Sequence, residues 1–205
     1  MKKSVKDKTA MSVHERDSIS VRKDRLMEAA LGLFADYGFH GVAVPKIAKA
    51  AGIATGSVYN YFTSKEELAN ELFWFWKQKL KELLLTDFPA TATTREQFEF
   101  IWQRLHAFTD TYPKAFQFIE GQLHANYLTV RCKDLEEEVF EIGRSFVYGG
   151  QAAGVIHDAD PQMIVAIFFG AFVQFFKDCR AGRQEWSLEH SLFVRDFCWQ
   201  AMRKA

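Results

Sequence analysis

Apolar residues recur along the chain with helical spacing nearly throughout. Between Ser20 and Tyr37, Leu26, Ala30, Leu33, Phe34 and Tyr37 fall three and four apart, which predicts an amphipathic helix that Gly38 ends. Ile47, Ala48 and Ala51 give a second, short helix a narrow apolar face. Gly52 stops it, where a residue free to turn left-handed is wanted. After Ile53 and Ala54, Thr55 is placed to cap a third short helix in which Val58 and Phe62, four apart, point inward. Ser64-Lys65-Glu66-Glu67 reads as a capping box, with Ser64 as cap and Glu67 reaching back. It opens a long helix through about Leu85, with Leu68, Leu72, Phe75 and Trp76 inward and Lys77, Lys79 and Lys81 in water.

The stretch TDFPATATT, Thr86 to Thr94, interrupts every period and reads as a linker. Five helices follow, at about 95–111, 113–127, 133–153, 161–181 and 187–203, and no strand pattern competes. Pro113 and Pro161 each suit a first helical turn, and Asp160 and Ser187 are placed as caps. Glu136, Glu137, Glu138 and Glu141 suit the positive end of a helix dipole and read as a solvated face. Residues 1–19 mix Lys with Ser, Thr and Asp without periodicity, which predicts a flexible basic arm.

Composition adds a division to this all-helical picture. The 205 residues are 48% hydrophobic and formally neutral, so the chain can build a core and net charge alone favours no partner. The distribution is uneven: residues 1–65 hold 11 Lys and Arg against 6 Asp and Glu, and the rest hold 15 against 20. The basic third contains the two short helices, as phosphate binding requires. Three cysteines far apart, Cys132, Cys179 and Cys198, fit a reduced cytoplasmic setting. The longest apolar run, Met163 to Phe176, is shorter than the ~20 residues that span a bilayer, so no membrane partner is expected. No metalloprotease, di-metal, nucleophile-elbow, phosphate-loop or dinucleotide motif occurs, and neither a metal nor a cofactor is expected. Glu120 and His124, four apart, could share a helix face, for a metal or for ordinary hydrogen bonding.

The string IAKAAGIATGSVYNYF followed by SKEEL closely resembles the N-terminal domain of the TetR family of transcriptional regulators, over about Arg22 to Leu80. The resemblance implies an all-α chain: a three-helix helix-turn-helix domain over 20–82, with the motif at about 45–64, and an effector-binding and dimerisation domain over 83–205. Thr55, Gly56, Ser57, Tyr59, Asn60 and Tyr61 face outward in this reading and offer the groups that base edges and phosphates need. Thr55, Gly56 and Tyr59 are the base-contact candidates. Ser57, Asn60, Tyr61 and Lys65, with Lys46 and Lys49, are the candidates for phosphate, and Lys65 matches a phosphate-contacting lysine of the family. The usual capping Ser or Thr of the second helix is here Ala43, with Pro45 in the first turn.

Aromatic residues crowd the C-terminal part, and they either pack together or line a cavity. The resemblance implies a cavity, for which Trp102, Phe116, His124, Tyr127, Phe146 and Phe172 are candidate walls, with Gln122, His124 and Asn126 as polar anchors. Ile164, Phe168, Ala171, Phe172 and Phe175, with Leu188, Leu192 and Val194, supply apolar surface for a homodimer through the last two helices. The expected function is a regulator bound to near-palindromic double-stranded operator DNA, a repressor released by a small hydrophobic effector. An activator of the same architecture, or a helical ligand carrier or enzyme, is the alternative.

Overall fold

The computed structural model describes residues 13–121 and 126–204, with side chains described from Ser20. Among them are nine helices and no strand: α1 (Val13–Tyr37), α2 (Val44–Ala51), α3 (Thr55–Val58), α4 (Lys65–Leu85), α5 (Thr94–Thr111), α6 (Pro113–Gly121), α7 (Val130–Ala152), α8 (Pro161–Arg180) and α9 (Leu188–Met202). The expected arm lies outside the described residues as far as position 12. α1 begins at Val13, earlier than Ser20, because the polar run HERDSIS lacks apolar periodicity but also lacks any Gly or Pro to stop a helix.

Local signals place most helix ends. Gly38 and Gly52 take φ of 73° and 70°, the left-handed region where a side chain is penalised, and both close their helices. Asp160 accepts from Gln162 N at 2.7 Å at the start of α8, and Ser187 accepts from His190 N at 3.2 Å at the start of α9. Thr93 and Glu96 form a full capping box on α5. The linker before α5 is held by Gln97, whose amide donates to the carbonyls of Pro89, Ala90 and Ala92.

The helix α4 is the shared wall of the molecule. Its first half buries Leu68 and Leu72 among Leu26, Ala30 and Phe34 of α1, and its second half buries Leu80 and Leu84 among residues of the C-terminal helices. α6 closes the junction from the other side. Phe34 stacks on Phe118 at 5.9 Å, Gln117 Nε2 donates to Ala35 O at 2.9 Å, and Lys114 pairs with Asp36 at 3.2 Å. The C-terminus is tied down by His157 N to Met202 O and Lys204 N to Val155 O.

Two readings of α4 change. Lys77, expected in water, is 1% exposed and ion-paired with Glu120 of α6 at 2.5 Å and with Glu136 of α7 at 3.7 Å. Phe75, expected inside, is 46% exposed. The apolar spacing around Phe75 and Trp76 admits either phase. Partners 43 and 59 positions away bring Lys77 in. The carboxylates read as a solvated face are exposed at Glu137, Glu138 and Glu141, where they form surface ion pairs with Arg144 and Lys81. α6 also stops short of the expected 127. Asn126 and Tyr127 form a turn, because buried Asn70 of α4 claims the local backbone, donating to Tyr127 O at 2.8 Å and accepting from Thr129 N at 2.8 Å.

α8 is long and apolar enough to cross a bilayer by length and composition alone. Here Ile164, Val165, Phe168, Phe172 and Phe176 sit in the core against α6, α7 and α9. The dimer residues expected on this helix are therefore corrected. Ile164, Phe168, Phe172 and Phe175 face inward, and Met163 and Ile167 are the exposed apolar residues, joined on α9 by Phe193 and Phe197, whose rings meet at 4.7 Å. An all-apolar helix carries no phase in its pattern.

Asn70 bonds three backbone groups, so Asn70→Ala takes the partner from a part-buried N–H of Thr129 and a part-buried C=O of Tyr127. It should lower unfolding free energy by ~2 kcal/mol in urea titration. A change below ~0.5 kcal/mol would show that the turn finds other partners.

Candidate functional site

The helix-turn-helix is built from two short helices set against α1. α2 has Ala43 as N-cap with no side-chain hydrogen bond and proline in its first turn, as the sequence implies, and buries Ile47, Ala48 and Ala51. Gly52 turns the chain, and Ile53 N returns to Ala48 O at 3.0 Å. Ala54, not Thr55, is the N-cap of α3, and it too lacks a side-chain bond. Thr55 is the first helical residue and is exposed. Only four residues are helical, but Phe62 N bonds Val58 O at 3.1 Å and carries the spiral on, burying Val58 and Phe62.

This arrangement exposes Thr55, Gly56, Tyr59 and Asn60 together, while Ser57 and Tyr61 are half-buried. Nothing approaches within 4 Å of a Cβ placed on Gly56, so its backbone is open to a surface brought against it. Lys49 is exposed at the last turn of α2. The two other lysines already have partners, Lys46 on the surface and Lys65 half-buried. Lys46 holds its ammonium 3.5 Å from the Tyr37 ring centroid, and Lys65 donates to Phe39 O and Val42 O, each at 3.0 Å, above the Phe39 ring. Lys65 thus fastens the turn between α1 and α2 to the start of α4. Beside it Ser64 accepts from Glu67 N at 3.1 Å. The Glu67 carboxylate passes over Ser64 to Thr63 N and Oγ1, which hold that carboxyl below its usual range.

In the C-terminal helices the expected aromatic walls are solid core. Trp102 meets Phe172 at 5.1 Å and gives its indole N–H to buried Ser191 at 3.0 Å. Phe116 meets Phe172 at 5.6 Å and Phe176 at 5.0 Å, and Phe146 stacks on Phe98 at 6.0 Å. These are ordinary edge and offset distances, and no ligand-sized gap separates the rings. Tyr127 is at the domain junction, 4.0 Å from Phe39, where burial raises its phenol well above the usual range. His124 and Gln122 lie outside the described residues. Of the expected walls, Phe146 borders an open groove of about 330 Å³ with Leu85, Phe88 and Ile142, and none of the six lines the small apolar slot of about 40 Å³ between α4, α5, α7 and α8. Leu80, Leu84, Leu105, Phe140, Val165 and Phe168 are among its walls, and Lys77 is the charged residue there. Sequence reasoning passed over it because its walls are ordinary core residues.

Glu120, paired in sequence with His124 as a candidate ligand set, instead binds Lys77, and burial pushes its carboxyl up against the pull of that ammonium. Among the described residues no cluster of His, Cys, Asp and Glu could hold a metal. Burial also pushes the Cys198 thiol up to about 11, with Cys132 and Cys179 shifted the same way, so all three are poor thiolates near neutral pH.

A short helix, a left-handed glycine turn and a second short helix with an open polar face, mounted on a helical companion domain, define a helix-turn-helix transcriptional regulator. Residues 26–72 match the family model "Bacterial regulatory proteins, tetR family", and residues 73–204 match "Tetracyclin repressor-like, C-terminal domain". The chain belongs to the TetR family. It is similar to the HTH-type transcriptional regulator RutR of Escherichia coli K12, 28% identical over 75% of this chain and 73% of that protein. A TetR family regulator from Marinobacter aquaeolei VT8 superposes with a TM-score of 0.78, at 24% identity over 93% of this chain and 100% of that one. FadR of Bacillus subtilis, solved in complex with stearoyl-CoA, gives a TM-score of 0.71 at 21% identity over 85% and 96% of the two chains.

Because Lys65 bonds two carbonyls, Lys65→Ala should lower unfolding free energy by ~1–2 kcal/mol without DNA present. Lys49→Ala, at an exposed position, should leave stability within ~0.5 kcal/mol of the parent. Thermal or urea unfolding of the two variants side by side checks both.

Proposed function

We propose that this regulator is a homodimeric repressor that reads a near-palindromic operator and is released by a small hydrophobic effector. The observation that carries the DNA half is the open turn of α3, where Thr55, Gly56 and Tyr59 stand clear of the protein around a glycine backbone. In this reading those three meet base edges. Ser57, Asn60 and Tyr61, with Lys46, Lys49 and Lys65, meet phosphates. Lys49 carries the largest share of the phosphate charge, since it binds neither ring nor carbonyl among the described residues, whereas Lys65 divides its donors with the protein.

Exposed Met163 and Ile167 on α8, with Phe193 and Phe197 on α9, support a two-fold pairing of those helices, and nothing lies within 4 Å of a Cβ placed on Gly170 beside them. An obligate interface of this kind buries on the order of 2,000 Å² or more and fixes the separation of the two reading heads. The hydrophobic effector is supported by the slot, whose lining is apolar except for Lys77. At about 40 Å³ it is far below the ~300–1,000 Å³ that encloses a drug-sized ligand. Occupation must therefore push α4 away from α7 and α8. Because α4 also carries the DNA-binding helices, a ligand favouring the opened state lowers operator affinity by the same factor by which DNA lowers ligand affinity.

Gel-shift titration against a fragment from upstream of the gene, with a random fragment as control, tests the reading. The upstream fragment should bind at least ~100-fold more tightly; equal affinity for both would sink it. Lys49→Ala should lower the log–log salt slope by about one on both fragments, and Tyr59→Ala should reduce the ratio between them. Phe193→Glu with Phe197→Glu should convert the dimer to a monomer of 23.6 kDa in sedimentation and abolish tight operator binding.

A further inference from the structure

The slot between α4, α5, α7 and α8 has a polar end, and its chemistry restricts what can bind there. Lys77, Leu80 and Leu84 line it along two turns of α4, about 10 Å. At one end is the Lys77 ammonium, which faces the ring of slot-lining Phe140 at 5.9 Å. An ammonium has three donors. Glu120 takes one at 2.5 Å, and Glu136, at 3.7 Å, is beyond hydrogen-bond distance although it still contributes charge. A buried cation is left with donor capacity next to an apolar channel.

Charge balance decides what acceptor suits it. Two carboxyls already face the Lys77 ammonium, Glu120 at 2.5 Å and Glu136 at 3.7 Å. A carboxylate or phosphate on the ligand would face two carboxylates in a poorly solvated site. An amine would face the ammonium it needs to approach. A neutral oxygen meets neither repulsion. We propose that the slot binds an elongated apolar molecule carrying one neutral carbonyl, as in an ester, lactone, amide or ketone, whose oxygen accepts the spare N–H of Lys77. This rests on the effector-released reading above and specifies the class of effector. Such a ligand competes for the same ammonium that ties α4 to α6 through Glu120, so it acts at a point where the two helices are joined.

Four probes of one chain length isolate the head group: methyl octanoate, octanoate, octylamine and octane. Binding is read by thermal shift and tryptophan fluorescence on the full chain, and release is read by gel shift on the upstream fragment. Methyl octanoate should bind at least about tenfold more tightly than the other three, the worth of one hydrogen bond to a charged donor, and should be the best releaser. Lys77→Met should erase that advantage, leaving ester and hydrocarbon alike while ligand-free DNA binding persists. If Lys77→Met fails to fold because Glu120 is stranded, Lys77→Met with Glu120→Gln removes both charges and gives the same readout. Tighter binding of octanoate or octylamine, binding of none of the four, or an ester advantage that survives loss of Lys77 overturns the proposal. In each of those cases the effector-released reading stands if some other compound releases the DNA, and it falls only if no compound of any class does.

Discussion

Burying a polar side chain costs stability in proportion to the groups it leaves unpartnered, and α4 buries two such residues, Asn70 and Lys77, seven positions apart. Asn70 and Lys77 lie two turns from each other, so they project from nearly the same side of the helix. Neither finds its main partners on α4. Asn70 takes the backbone of Tyr127 and Thr129, and Lys77 takes the carboxylates of Glu120 and Glu136. Both sets belong to the segment where α6 gives way to α7. Tyr127, Thr129, Glu120 and Glu136 are drawn to α4, since Asn70 or Lys77 would cost a few kcal/mol if stranded.

That constraint makes the boundary between the two halves stiff. Phe39, at the entry to the helix-turn-helix, stacks on Tyr127 from the C-terminal side and is held by Lys65 from below. Gln117 and Lys114 of α6 grip the end of α1. The reading head is therefore bolted to α6 and to the following turn as well as being continuous with α4. Close-packed junctions of this kind respond by repacking between discrete arrangements and not by gradual deformation.

What could be read from the chain was what neighbours in sequence decide. Gly38, Gly52, Asp160 and Ser187 act within a few residues, and each does in the structure what its type and position imply. The helix-turn-helix was legible for the same reason, down to uncapped Ala43. Lys77 was not, since its side chain alone says water and only carboxylates 43 and 59 positions on say otherwise. α8 was misphased by one residue: apolar on every side, it gave Phe168 and Ile167 equal claim to the outer face. The aromatic walls failed on a different point. Counting rings in helices cannot say whether they meet each other or a void, and Trp102, Phe116 and Phe172 meet each other.

The brevity of α3 has a thermal consequence. One turn of helix does not repay the cost of its own nucleation, so four residues without a side-chain cap hold no shape by themselves. Their order is borrowed from Val58 and Phe62, anchored in the packing of α1 and α2. Warming frees such a segment before it reaches the helices that hold it, and local opening precedes global unfolding. On heating, the exposed turn around Thr55 and Gly56 is thus the part of the motif that loosens first, while the helices beneath it stay packed.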